Sequence, residues 1–242
     1  MLTQREQERY RRQILLFGEA GQERLKKAEI FIAGAGGLGS PVAIYLAVAG
    51  IGRITVVDRD IVDRTNLNRQ ILHFDRDIGR KKTESAGEKL RALNPDIVVR
   101  VIDTTIEESN VADLVGEADG IVDAMDNFPA RYLLNETAVR KKIPFFHGAI
   151  RGLYGQATTI LPGKTPCFAC IFPGAPPPEV FPVVGVTPGF IAMVQATEVI
   201  KYLTGTGTLL AGRLLIWDGS AARAEEIRIE RRLQCGICGD RV

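Results

Sequence analysis

The chain lacks any mark of export: residues 4–9 read Gln4-Arg5-Glu6-Gln7-Glu8-Arg9, charged where a leader would be apolar. It also lacks a broad basic field. With 31 Lys and Arg against 29 Asp and Glu the formal charge is +2, which argues against nucleic acid held by charge alone. Nor is there an uninterrupted apolar span. Residues 30–52 carry no charge and could cross a bilayer by count, but six glycines and Pro41 within them disfavour a continuous helix. Residues 180–197 are equally free of charge and are interrupted by Pro182, Gly185, Pro188 and Gly189. Internal repeats and low-complexity tracts are absent. What remains is the expectation of a soluble, cytoplasmic globular protein, large enough for one α/β domain or two small ones.

Cysteine is scarce, and none stands outside two CxxC pairs: Cys167-Phe168-Ala169-Cys170 and Cys235-Gly236-Ile237-Cys238. Two such knuckles supply four thiolates in a tetrahedral array, the arrangement of a structural Zn²⁺ site. A redox CxxC normally stands alone at a helix start, and two disulfides do not suit a chain without an export signal. A closed four-thiolate site ties the C-terminal tail to the middle of the chain. It leaves no cysteine free as a nucleophile.

What the chain does have is concentrated between residues 30 and 60. The apolar run Ile30-Phe31-Ile32-Ala33 meets Gly34-Ala35-Gly36-Gly37-Leu38-Gly39, which opens a small-residue helix over about 40–49. After Gly50 and Gly52 comes a second apolar run, Ile54-Thr55-Val56-Val57, ending in Asp58-Arg59-Asp60. Strand, glycine turn, helix, strand and acid in that order make a βαβ nucleotide-binding unit. Gly34 permits the tight turn, Gly36 lets backbone approach phosphate, and Gly39 lets helix and strand pack closely. Free N–H groups at the helix start attract phosphate, and Asp58 can accept from ribose hydroxyls. This pattern alone does not choose between NAD and ATP.

Around that unit the spacing predicts a helix over 3–17, with Thr3 and Glu6 placed for a capping box, and a short second helix over 21–27. Residues 63–70 are too polar for a core strand, yet they follow Asp58 at the strand ends where open α/β sheets bind ligands. A helix is expected from about 78 to 93, a strand over 97–102, a short helix over 111–115 and a strand over 120–123. Asp126 and Asn127 follow that strand into the same crevice, ahead of a helix over 129–141. Residues 144–147 and 151–160 read as strands, the second added antiparallel because no crossover helix fits between them. A proline-dense loop over 173–182, a helix over 188–203 and strands over 214–218 and 225–229 complete the chain.

In combination these motifs resemble the ubiquitin-activating enzyme superfamily, within it the MoeB/ThiF/HesA type of sulfur-carrier adenylyltransferase. The matching stretches are Arg9-Tyr10-Arg11-Arg12-Gln13, the glycine turn through Ser40, Asp58-Arg59-Asp60, Asn66-Leu67-Asn68-Arg69-Gln70, Gly79-Arg80-Lys81-Lys82, Asp126-Asn127 and both CxxC pairs. The resemblance implies a Rossmann-like α/β unit continued into a mixed sheet with antiparallel C-terminal strands. It implies one adenylation domain over 1–242: a helical arm 1–28, a nucleotide-binding half 29–143, and a carrier-binding, zinc-stapled half 144–242. It further implies that ATP and the C-terminal Gly-Gly of a ubiquitin-like sulfur carrier meet in the crevice, where the carboxylate attacks the α-phosphate. Gly37 would lie against the nucleotide. Asn66, Arg69 and Lys82 would contact phosphates, and Asp126, with Asn127 beside it, would bind Mg²⁺ or orient the reacting groups. Arg12 would reach the neighbouring subunit's ATP in a homodimer. His73 and His147 match nothing in this scheme and are read as packing residues.

One departure matters. Relatives of this type often carry a further cysteine before the helix near Pro188, and residues 180–186 here contain none, so the reaction is expected to stop at the adenylate. No sulfurtransferase segment follows Cys238, so sulfur would come from a separate donor. Two competing readings are an NAD-dependent oxidoreductase, which the first sixty residues would serve equally well, and a catalytically silent binding scaffold stapled by zinc.

Overall fold

The structure, a computed structural model, describes residues 1–177 and 180–239. Pro178, part of the proline-dense loop, lies outside the described residues. An eight-stranded sheet in the order β3-β2-β1-β4-β5-β6-β7-β8 organises the chain. Strands β1 (Glu29–Ala33), β2 (Arg53–Asp58), β3 (Val98–Asp103), β4 (Gly120–Asp123) and β5 (Phe145–Arg151) are parallel. Strands β6 (Tyr154–Ile160), β7 (Arg213–Asp218) and β8 (Arg223–Arg228) then add antiparallel. Helices fill the crossovers: α3 (Gly39–Ala49), α4 (Lys82–Leu93), α5 (Val111–Val115) and α6 (Phe128–Lys141).

The parallel strands are apolar on both sides, so consecutive residues feed opposite cores. Ile30, Ile32, Val56, Val122 and Phe146 pack under α3, α4 and the long helix α8 (Val186–Thr204). Phe31, Val57, Ile121 and Phe145 pack on the other face with α5, α6 and the short helix α7 (Phe168–Ile171). Phe31, Phe145, Phe146 and Phe168 are all fully buried, each contributing up to about 3 kcal/mol by removal from water. The sheet runs outward from β1 to β3 on one side and from β4 to β5 on the other. The gap between β1 and β4 is therefore a topological switch point, and register levels the ends there: Ala33 lies beside Val57 and Asp123.

At the N-terminus one expectation is corrected. The capping box forms, with Glu6 N–H donating to Thr3 Oγ1 at 3.2 Å and Thr3 N–H to Glu6 Oε2 at 2.7 Å. The helix, however, stops after one short piece, α1 (Gln4–Arg9), and a second, α2 (Arg11–Lys27), runs on through a kink at Gly18 (φ 71°). Tyr10 is the cause of the break. Its ring is buried and its hydroxyl accepts from Asn94 Nδ2 at 2.8 Å, a contact that needs the chain to turn at this residue. The other shift is in the hairpin. The strand expected over 144–147 extends to Arg151, because the reversal waits for Gly152, whose φ of 60° suits glycine. Among the described residues no helix is long and apolar enough to cross a membrane.

Candidate active site

A cleft of about 640 Å³ opens above the C-terminal ends of β1, β2, β3 and β4. Its floor is the glycine turn, and the glycines there have two separable duties. A Cβ on Gly34 would stand 2.7 Å from Ala124 O, and one on Gly39 only 1.8 Å from Gly34 O. Those two are required by packing. A Cβ on Gly36 or Gly37 would meet only ordinary contacts, at 3.5 Å from Gln70 Nε2 and 3.4 Å from Pro188, yet both residues line the cleft. Packing does not demand glycine at either, so the bare backbone there serves whatever enters the cleft. Among the described residues the N–H groups of Gly36, Gly37 and Leu38 donate to no protein acceptor. Three unsatisfied donors at the start of an eleven-residue helix, α3, make a cradle whose chemistry suits an anion such as phosphate.

Asp58 closes one side. Its Oδ2 accepts the Ala35 N–H and its Oδ1 the Asp60 N–H, each at 2.8 Å, which orients the carboxylate while leaving lone pairs for ribose hydroxyls. Lys82, the first residue of α4, is buried in the wall and donates to Asp60 Oδ2 at 2.8 Å. Arg69 lines the cleft beside the glycine turn, its Cγ 3.5 Å from where a Gly37 Cβ would stand, and donates to the Thr65 carbonyl and Asn68 Oδ1 at 3.0 Å each. Asn66 does not line the cleft: its Oδ1 accepts from the Asp63 N–H at 3.4 Å, closing the 3-10 turn over Arg64–Asn66, and its carbonyl accepts the Arg69 N–H at 3.1 Å.

The far side is the segment after β4. Asp126 and Asn127 both line the cleft, and Asn127 also caps α6 by accepting the Ala130 N–H at 3.0 Å. Beneath them lies a buried ionic cluster that the sequence did not announce. Asp123 Oδ2 accepts from His147 Nδ1 at 2.7 Å and sits 3.4 Å from Arg131 Nε. Burial, offset in part by Asp123, pushes the His147 pKa down, so the ring is neutral. Arg131 also donates to the Met125 carbonyl at 2.6 Å, which pins the peptide next to Asp126. Gln70, Thr104, Thr105 and Arg131 line the cleft and were not singled out from sequence. Thr104 and Thr105 could have been, since they directly follow β3 at the sheet's ligand edge. Arg131 sits one turn beyond the Asn127 cap, a spacing that brings the two together only once α6 is placed. Arg12, on the exposed side of α2, takes no part in its own chain's cleft.

The four cysteines form a second site. Their sulfurs lie within 4.8 Å of one another and all four residues are buried. Sγ–Sγ separations of 3.6 Å for Cys167 and Cys235, 3.4 Å for Cys170 and Cys238, and 4.0 Å for Cys167 and Cys170 straddle the ~3.8 Å edge of a tetrahedron with zinc–sulfur bonds of about 2.3 Å. The Arg232 N–H donates to Cys170 Sγ at 3.5 Å, a contact that favours thiolate. The donor set fits Zn²⁺, held between α7 and the tail and about the Phe168 ring cluster, away from the cleft.

Comparison with known proteins agrees with this geometry. The ThiF family model matches residues 10–237. A SAMP-activating enzyme E1 of Haloferax volcanii is 44% identical over 241 residues, covering 96% of this chain and 89% of that protein. A sulfur carrier protein adenylyltransferase of Thermus thermophilus is 41% identical over 251 residues, covering 98% and 93%. Among solved structures, E. coli MccB with ATP superposes with a TM-score of 0.87 at 26% identity, over 96% of this chain and 75% of that one.

Proposed function

The chain belongs to the ThiF family, and from that premise we propose that it adenylates the C-terminal Gly-Gly carboxylate of a ubiquitin-like sulfur carrier. The observation that carries the reading is the cleft itself: a bare glycine cradle, a ribose-side carboxylate and a cationic wall converge where the strand order reverses. In the reaction a carrier carboxylate oxygen bonds to the α-phosphorus of ATP. The bond from that phosphorus to the bridging oxygen breaks, and pyrophosphate leaves with the electron pair. The nucleophile is already ionised, so no general base is needed. What must be supplied is positive charge around an in-line displacement between two anions.

The charge count of the cleft supports two further parts of the proposal. Arg59, Arg69, Lys82 and Arg131 line it against Asp58, Asp60 and Asp126, so four cations face three carboxylates. One net positive charge is far less than a triphosphate requires. Asp126 is exposed at the rim, a hard oxygen donor of the kind that suits Mg²⁺, and the ion would offset the deficit. A second copy of the chain would supply the remainder through Arg12. Support for a homodimer comes from Leu15 and Leu16, beside Arg12 on α2 and 78% and 72% exposed. In this reading Gly37 lies against the nucleotide, Arg69 and Lys82 meet the phosphates, and Asn66 acts from behind by holding Arg69's turn. The division that accompanies it is an arm over 1–28, a nucleotide half over 29–143 and a carrier half over 144–242.

All four cysteines are drawn into one cluster, so no thiol remains for a thioester, and the adenylate passes to a separate sulfur donor. A reduced four-thiol site goes with a cytoplasmic location. What weighs against an NAD-dependent oxidoreductase is the family match over residues 10–237 and the 44% identical SAMP-activating relative. The test is exchange of labelled pyrophosphate into ATP by the purified chain. Exchange that requires both Mg²⁺ and a carrier ending in Gly-Gly is the expected result; NADH binding without ATP binding would overturn the assignment.

A further inference from the structure

Behind the glycine turn, out of the cleft, lies a buried polar network. Lys89 pairs with Asp77 and donates to Ser85 Oγ at 2.6 Å. Ser85 Oγ lies 2.9 Å from His73 Nδ1, and His73 Nε2 lies 2.9 Å from the Ala35 carbonyl. With a neutral ring the links have one consistent direction. A carbonyl only accepts, so Nε2 carries the proton. Nδ1 of the neutral ring is then an acceptor, and the Ser85 hydroxyl must donate to it. That leaves the Ser85 oxygen to accept from the Lys89 ammonium. The chain runs one way, from a charged donor to the backbone of the nucleotide turn.

We propose that His73 is a positioning residue for nucleotide binding, the last link of a directed hydrogen-bond chain that runs from the Lys89–Asp77 pair through Ser85 and fixes the Ala35 carbonyl. Residue 35 is held from both sides. Its N–H goes to Asp58 Oδ2 at 2.8 Å, and its carbonyl accepts from Ser40 Oγ at 3.0 Å as well as from His73. Both carbonyl lone pairs are thus engaged, and the following peptides carry the free N–H groups of the cradle. Releasing one of the two restraints lets the 35–36 peptide rock, and the donors beyond it lose their aim. The ring itself does not line the cleft.

Burial drives the His73 pKa down, the Ala35 carbonyl contact pulls it up, and the charges of Lys89 and Lys82 press it down against Asp77. A protonated ring would turn the Nδ1 link round and leave the Ser85 hydroxyl to the Asp77 carboxyl, which it also reaches. The chain runs in this direction only with neutral His73.

The inference rests on the nucleotide reading, so the experiment measures ATP binding directly, by titration calorimetry on the full chain, without a carrier. Replacing His73 with Phe removes the donor and keeps a ring. His73→Gln restores an amide N–H to the Nε2 position, and Ser85→Ala cuts the chain one link back. Expected are an ATP Kd about tenfold weaker for His73→Phe, within about threefold of wild type for His73→Gln, and in between for Ser85→Ala. Wild-type affinity should also weaken on acidification, a limb absent from His73→Gln. Phe and wild type binding alike, or Gln as impaired as Phe, would reduce His73 to a core-filling residue and overturn the proposal. A wild type that binds no ATP would instead sink the nucleotide reading itself. Should the Phe variant fail to fold, the Gln and Ser85→Ala variants and the pH limb decide the matter.

Discussion

Two alanine substitutions three residues apart should separate packing from ligand binding in the glycine turn. At Gly39 a new Cβ would be 1.8 Å from the Gly34 carbonyl oxygen, backbone against backbone, so the turn or α3 must move. Overpacking of this kind costs about 3 kcal/mol, which for a chain of this size lowers Tm by about 6–12 °C. At Gly36 the nearest atom is Gln70 Nε2 at 3.5 Å, and the residue does not require positive φ. Gly36→Ala therefore leaves Tm unchanged, or raises it slightly through the lost freedom of the unfolded chain, worth about 0.4–1 kcal/mol. Its methyl stands in the cradle and keeps phosphate from the N–H donors. A charge-assisted hydrogen bond contributes about 1.5–3 kcal/mol, so losing one weakens ATP about 10- to 100-fold. Calorimetric melting and ATP titration on the same two preparations suffice. A Gly36→Ala protein with wild-type affinity for ATP would refute the cradle, and a Gly39→Ala protein with wild-type Tm would refute the packing geometry.

The cysteine cluster predicts that stripping zinc with a chelator, or Cys238→Ser, lowers Tm by about 10 °C; an unchanged melting curve together with no zinc by elemental analysis would exclude a structural metal. Asp77 is fully buried. Burial is the largest influence and acts upward, but hydrogen bonds from Lys89 and the Phe74 N–H outweigh it and hold the Asp77 pKa down at about 2. Because the folded value lies below the unfolded one, this carboxylate contributes about 2 kcal/mol that is present above pH ~4 and lost as pH falls toward 2. Urea melts of wild type and Asp77→Asn across that window should converge on acidification, and parallel curves would contradict it. Arg12→Ala should cut adenylation turnover while sedimentation still reports a dimer; full turnover would make the arginine a simple surface residue.

How much of this was legible in the sequence follows from separation along the chain. The glycine turn, Asp58 and both CxxC pairs are local patterns, in which spacing alone fixes what can meet. The zinc site joins pairs 68 residues apart, yet it was readable because each half has a recognisable spacing of its own. The contacts that escaped lack that redundancy. His73 meets Ala35 across 38 residues, Asp123 meets His147 across 24, and Tyr10 meets Asn94 across 84, each through an ordinary polar side chain. The last of these broke a helix whose periodicity was otherwise sound, a case of tertiary contact overriding local propensity. The resemblance placed Asn66 at the phosphates; in the structure its Oδ1 accepts from the Asp63 N–H, a local role that the polar composition of residues 63–70 equally allowed.

The path of the chain between the two cysteine pairs gives the metal a mechanical meaning. From α7 on one face it passes to α8 on the opposite face, runs out through β7 and β8 at the sheet margin, and returns to the first face at Cys235. The cysteine cluster is the buckle of a belt around the antiparallel margin, and zinc bound there would keep the outermost strands from peeling away singly. Amide exchange in β6, β7 and β8 should therefore be uniformly slow with metal bound and rise together on its release, so that the antiparallel margin loosens as a unit while the glycine turn at the sheet's centre keeps its shape.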